Sequence, residues 1–193
     1  MTGARRPGRR SGRAPEPPDV GAAAVDAEPD PEQLARSIAL RLLTAAPRSR
    51  QQLAEAMARR DVPEAVTERV LDRFTDVGLV DDAGYAEGLV RAKHESRGLA
   101  RRALAVELKR KGVGDEDARA ALAQIDDADE EAAARELLAR RWRRDLDPVV
   151  QSRRLLAMLG RKGYSPGMAA RLVREMVDDS RAQSSDQPGS DLD

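Results

Sequence analysis

The chain has 193 residues, 34 basic against 34 acidic side chains, one histidine and no cysteine. Disulfides, thiol chemistry and zinc–thiolate sites are thereby excluded, and a lone histidine cannot build a His-rich metal site. Aromatic residues make up 2%, and 33 alanines and 20 leucines stand against 16 valines and isoleucines, a balance that disfavours a large sheet and suits helices, where Ala and Leu lose little entropy.

So few large side chains argue against one thick core and for a thin one assembled from small helical units. No apolar run approaches the ~20 residues of a membrane span. The arginines near the start are not followed by the apolar segment of a secretory signal. The expected location is the cytoplasm.

Residues 1–30 are rich in Arg, Pro, Gly, Ala and Asp without apolar periodicity, so they are expected to form a disordered arm that cannot offset its ordering entropy. Arg5, Arg6, Arg9, Arg10 and Arg13 there either attract nucleic acid weakly or simply solvate the arm. The chain then becomes periodic, and the period is internal. Asp61-Val62-Pro63 follows Arg59-Arg60; fifty-one residues later Gly112-Val113-Gly114 follows Arg110-Lys111; fifty-one later again Gly163-Tyr164-Ser165 follows Arg161-Lys162. Leu53, Leu104 and Leu155 share this register, as do Met57, Leu108 and Leu159, and Leu71, Leu122 and Val173. Such spacing is the signature of a tandem repeat.

Apolar spacing resolves each repeat into three helices. In the first, residues 31–80, the stripes are Leu34, Ile38 and Leu42; Leu53 and Met57; and Val66, Val70, Phe74 and Val77. In the second, residues 81–126, they are Tyr85 and Leu89; Leu104 and Leu108; and Ala118, Leu122 and Ile125. In the third, residues 127–179, they are Ala134, Leu138 and Trp142; Leu155 and Leu159; and Ala169, Leu172 and Met176. Residues 180–193 are polar and end acidic, and are expected to be a tail.

Helix ends are also legible. Ser49-Arg50-Gln51-Gln52 has capping-box form. Asp147-Pro148 and Ser165-Pro166 place a cap residue before a proline at the first helical position. Gly112 and Gly163 stand where a helix must stop in the left-handed conformation. Asp61 occupies that place in the first repeat, so its turn is either looser or carries a conformational cost. Asp129, Glu130 and Glu131 crowd a helix start, where negative charge complements the dipole. A three-helix unit with such a turn has helix-turn-helix character. The expected fold is all-α, with three tandem three-helix repeats stacked into an elongated, curved body.

Enzyme chemistry is not expected. There is no GxxxxGK[ST] phosphate loop and no GxGxxG after a strand, and no cofactor, metal or small-molecule substrate is implied. His94 lies among Lys93, Glu95 and Arg97 with no nucleophile partner evident, and is read as an ordinary exposed histidine. Trp142 is read as core rather than as a base-stacking platform. What remains is charge. Arg97 to Lys111 carries six basic residues and one acid, whereas Asp115 to Glu131 carries eight acids and one arginine. A basic pair closes the second helix of every repeat: Arg59-Arg60, Arg110-Lys111 (preceded by Lys109), and Arg161-Lys162. Helix dipoles favour cations there. They do not explain Arg101-Arg102 and Arg153-Arg154 at the starts of the same helices. Stacking would align these pairs into a spaced basic track suited to a polyanion or a polymer surface.

The series Gly78-Leu79-Val80-Asp81-Asp82, Tyr85-Ala86, Val90-Arg91, Arg97-Gly98, Arg101-Arg102, Glu107-Leu108 and Lys111-Gly112-Val113, with Arg48-Ser49 and Leu53 before it and Arg161-Lys162-Gly163-Tyr164 after it, resembles the RecX family over about residues 34–177. Asp61, where a glycine is usual, the long arm and the acidic tail depart from the pattern. The resemblance implies a non-catalytic regulator that binds the RecA recombinase, chiefly in the groove of the RecA–ssDNA filament. It would inhibit the recombinase, ATPase and co-protease activities in the control of recombination, repair and the SOS response, with weak non-specific DNA binding besides. The expected contact surface is Arg97, Arg101, Arg102, Lys109, Arg110, Lys111, Arg153, Arg154, Arg161 and Lys162. Two other classes compete: a helix-turn-helix DNA-binding transcription regulator, which requires sequence-specific binding without RecA, and a structural helical adaptor with no salt-sensitive affinity for DNA or filaments.

Overall fold

The computed structural model of the chain describes residues 30–143 and 146–185; the expected arm, apart from Asp30, and the expected tail beyond residue 185 lie outside them. Among the described residues all regular structure is helical, in three triplets. These are α1 (Pro31–Ala45), α2 (Arg50–Ala58) and α3 (Glu64–Asp76); α4 (Asp82–Arg97), α5 (Arg101–Arg110) and α6 (Asp115–Leu122); and α7 (Asp127–Arg141), α8 (Pro148–Arg161) and α9 (Pro166–Ser185).

The ends follow from local chemistry. The Ser49 hydroxyl accepts from the Gln52 amide and the Gln52 side chain from the Ser49 amide, closing the capping box on α2. Asp147 caps α8 through the amides of Val149 and Val150, with Pro148 at the first helical position. Ser165 accepts from Met168 at the start of α9. Asp126 and Asp129 form a reciprocal box on α7 that the acidic run concealed.

Each triplet has its own core. Leu53, Met57, Val70, Leu71 and Phe74 fill the first, with Ile38 and the close-packed Ala35 and Ala39 of α1. Val90, Leu104, Leu108, Ala121 and Ile125 fill the second. Leu138, Leu155, Leu159, Tyr164, Leu172 and Val173 fill the third. The repeat register places Leu53, Leu104 and Leu155 at equivalent buried positions, and likewise Met57, Leu108 and Leu159. Truncating any one of these to alanine is worth about 2–5 kcal/mol, which matters in cores this small.

Two expectations change, and a third, Trp142 as a core residue, is met. Val77 does not complete the α3 stripe; it is the exposed residue at the helix end, beyond the last turn that can face the core. His94 is half-buried rather than exposed, with Nδ1 2.9 Å from the Leu99 carbonyl oxygen. Because a carbonyl only accepts, Nδ1 carries the proton, and the ring fastens the turn after α4. Trp142 lies just past the end of α7 and packs half-buried on the third core.

Asp61 resolves its alternatives. Its φ is 58°, the same left-handed conformation as Gly112 at 73° and Gly163 at 90°, so the first turn is as tight as the other two and carries the conformational cost. Asp61→Gly is therefore expected to raise stability by about 0.5–1 kcal/mol in urea unfolding. A lower stability would show that the carboxylate itself holds the turn.

The second helices join the triplets. The Ser49 hydroxyl, at the start of α2, donates to the carbonyl of Lys111 at the end of α5. Fifty-one residues on, the Ala100 amide at the start of α5 donates to the carbonyl of Lys162 at the end of α8, 2.9 Å away. A carboxylate from the following triplet clamps each joint. The Arg50 amide donates to Asp82 Oδ1 at 2.7 Å, and the Arg101 amide to Glu130 Oε1 at 2.5 Å. The three second helices thus run head to tail in the order α8, α5, α2. The series ends at α8 with Gln151, one repeat on from Ala100. Gln151 is buried and turns its amide onto its own loop, donating to the carbonyls of Arg143 and Leu146 and accepting from the Arg143 amide. This is how a terminal repeat closes its polar groups on itself.

Candidate interaction surface at the triplet junctions

Head-to-tail stacking brings together what the sequence keeps apart. The basic end of α8, Arg161-Lys162, meets the basic start of α5, Arg101-Arg102, because Lys162 and Ala100 share a hydrogen bond. Arg110-Lys111 at the end of α5 meets Arg50 at the start of α2 in the same way, through Lys111 and Ser49. The basic start of α5, Arg101-Arg102, which dipoles leave unexplained, is thus half of a composite cluster.

The expected contact residues divide by what their charges already do. Arg97, Arg102, Lys109, Arg153, Arg154 and Arg161 are exposed, and none of them has an ion pair among the described residues. Arg110 is exposed but paired with Glu107 one turn back. Lys111 is half-buried at the joint with α2. Arg153 and Arg154 stand on α8 at the far end of the series, away from either joint.

Arg101 and Lys162 serve the junction. The Arg101 guanidinium pairs with Asp127 and Glu130, and these carboxylates raise its pKa. Glu130 is 10% exposed and receives both the Arg101 backbone amide and its side chain. The Lys162 ammonium donates to the Arg97 carbonyl at the end of α4. Burial lowers the Lys162 pKa, and the nearby Arg141 and Arg97 lower it further. Tyr164 completes the joint, its buried hydroxyl donating to the Gly98 carbonyl at 3.1 Å. Burial pushes the Tyr164 pKa up to about 12.

Sequence reading missed Glu130 and Asp82 as clamps and Arg141 as a neighbour of Lys162. Asp82 and Glu130 are forty-eight residues apart rather than fifty-one, so the repeat register does not pair them. Arg141 lay inside a basic run with no feature to single it out.

A surface network ties α7 to α9 in the third triplet. Arg171 donates to Glu131 at 2.6 Å, and Arg135 to Glu131 at 2.8 Å and to Glu175 at 2.7 Å. Hydrogen bonds from Arg171 and Arg135 hold the Glu131 pKa down at about 2, below its ordinary 4.5. A depressed carboxylate stabilises the fold above its unfolded pKa and stops doing so as pH falls through the folded value. The melting temperature is therefore expected to fall between pH ~4.5 and ~2, and Glu131→Gln to flatten that fall. An identical pH profile in the variant would remove Glu131 from the account.

Among the described residues no group of three or more His, Asp or Glu side chains is placed to hold a metal ion. No helix there is long and apolar enough to cross a membrane.

Comparison with known proteins agrees with this architecture triplet by triplet. Residues 35–74 match the first three-helix domain of RecX, residues 81–122 the second and residues 129–173 the third. The chain is 51% identical over 170 residues to the regulatory protein RecX of Thermobifida fusca, covering 83% of this chain and 92% of that one. It is also 51% identical over 152 residues to the regulatory protein RecX of Streptomyces coelicolor, covering 78% and 81%. The crystal structure of RecX from Lactobacillus salivarius shares the fold, with a TM-score of 0.69 at 21% identity over 77% of this chain and 97% of that one. Three matched domains in order, on three triplets joined by one repeated contact, establish that the chain belongs to the RecX family.

Proposed function

We propose that this chain is a non-catalytic regulator that binds RecA and its filament on single-stranded DNA and restrains the filament's ATP hydrolysis, strand exchange and co-protease activity. It would act in the cytoplasm, in the control of recombination, DNA repair and the SOS response. The observation that supports this best is the composite basic cluster at each joint. Arg102 and Arg161 at one joint, and Lys109 with Lys111 at the other, offer charges that no carboxylate of the described chain neutralises. Two such clusters one repeat apart suit a partner that is itself periodic, and a tether between two weak contacts raises the overall affinity without new chemistry. Phosphate contacts from the same arginines would add the non-specific, salt-sensitive DNA component.

The same structure supports the helix-turn-helix regulator reading less well. A recognition helix presents its first residues to base edges. In the second triplet that helix, α6, opens on Asp115, Glu116 and Asp117, three carboxylates that phosphates repel. Sedimentation of RecA–ssDNA filaments with this protein across a salt series tests the proposal. The protein should pellet with filaments at low salt and be released as salt rises. Protein left in the supernatant at every salt concentration would refute it.

A further inference from the structure

A cleft of about 1080 Å³ lies between α4 of the second triplet and α7 of the third. Leu99 and Leu137 line it, both half-buried, with the buried Ile125 beneath. Its charged lining changes along its length: Glu87 and Asp129 outnumber Arg91 at one end, whereas Arg97, Arg140, Arg141 and Lys162 outnumber Glu95 and Glu136 toward the other. Glu87 on α4 and Asp129 on α7 line it ten and twelve residues before Arg97 and Arg141 respectively, some ~15–18 Å away along each helix. Arg97 and Arg141 meet at the other end around Lys162, which feels the charge of both. The Lys162 ammonium is engaged by the Arg97 carbonyl. The guanidinia of Arg97 and Arg141 have no carboxylate partner among the described residues.

We propose that this cleft is the docking groove for an acidic segment of the partner protein, whose carboxylates meet Arg97 and Arg141 and whose apolar side chains cover Leu99 and Leu137. Charge complementarity and the apolar lining select a protein segment over nucleic acid. A continuous phosphate backbone would run from the two arginines into an end where Glu87 and Asp129 outnumber Arg91, and it has no apolar side chains to lay on the leucines. No aromatic side chain lines the cleft to stack a base. A peptide of mixed character has none of these conflicts. The inference rests on the RecA-regulator reading, and it separates the duties of the basic residues. The joint clusters face the filament and its DNA, while Arg97 and Arg141 hold protein.

Binding to DNA-free RecA and to a dT oligonucleotide, measured separately, tests it. Ala132 is exposed on α7 and lines the cleft, so Ala132→Trp plugs the groove without changing charge or core. Ala132→Trp and the double variant Arg97→Gln/Arg141→Gln should each lower RecA affinity at least about tenfold. Oligonucleotide affinity should stay within about twofold and melting should be unchanged. Full RecA affinity in Ala132→Trp would overturn the groove. Equal losses for RecA and oligonucleotide in the arginine variant would return those residues to a polyanion track. Failure of the wild-type protein to bind RecA would instead refute the regulator reading, and the groove's occupant with it.

Discussion

Replacing Arg101 by glutamate is expected to loosen the joint between the second and third triplets rather than to act first on a partner. The guanidinium holds Asp127 and Glu130, and Glu130 also receives the Arg101 backbone amide at 2.5 Å. The substitution removes the cation and sets a third carboxylate beside the other two, one of them only 10% exposed. Hydrogen bonds to charged groups contribute about 1.5–3 kcal/mol, and breaking a well-buried pair costs about 3–5. Arg101 is 38% exposed, which keeps the expected loss near 2–3 kcal/mol, or about 5–10 °C in melting temperature. Arg102→Glu, one residue along and unpaired, should leave melting unchanged within about a degree, as surface substitutions usually do. Thermal unfolding of the two variants side by side decides the matter. Equal melting temperatures would mean that the Arg101 pairs contribute no more than ordinary surface pairs.

Gly163→Ala should be more damaging still. Gly163 has φ 90°, and a Cβ there would stand 2.5 Å from the backbone nitrogen of Ala103, which cannot swing aside as a side-chain tip can. Strained backbone and displaced helix together should cost about 3 kcal/mol or more. The glycines supply their own controls. Gly78, at φ 72°, has open space around its missing Cβ, so Gly78→Ala should cost only the conformational part, about 1 kcal/mol. Gly112, at φ 73°, would meet Gln51 at Oε1 and Cδ, which can rotate away, but also at Cβ, which is fixed to the α2 backbone, so its loss should approach that of Gly163. Urea unfolding should place the losses of Gly163 and Gly112 well above that of Gly78. A flat ranking would show that the left-handed conformation alone sets the cost and that the α8–α5 joint is not tightly packed.

The triplication was legible because the cores repeat. Leu53, Leu104 and Leu155 are buried at equivalent places, and burial constrains residue type strongly enough to leave a period in the chain. Gly112 and Gly163 were legible for a related reason, since a left-handed turn narrows the choice of residue. Asp61 shows the limit of that argument, adopting the same conformation at φ 58° with a side chain that bears it at a cost glycine does not have. The joints were not legible. Ala100 and Lys162 meet through backbone atoms, which any residue but proline can supply, so no side chain records the contact. Glu130 looked like a helix-dipole residue because its helix start is acidic throughout; that it reaches back to Arg101 depends on how triplets stack. The basic pairs were visible as residues, but their division into joint-forming Arg101 and unpaired Arg102 needed the fold.

The central claim is that unpaired cations at the joints regulate a RecA filament. Its most direct test is the rate of single-stranded-DNA-dependent ATP hydrolysis by RecA, titrated with the wild-type protein and with Arg102→Glu/Arg161→Glu across a salt series. The wild-type protein should suppress hydrolysis, and higher salt should weaken the suppression. The double variant, folded as judged by melting, should need about tenfold more protein for the same effect, a difference of about 1.4 kcal/mol. A hydrolysis rate indifferent to the wild-type protein at every salt concentration would contradict the account.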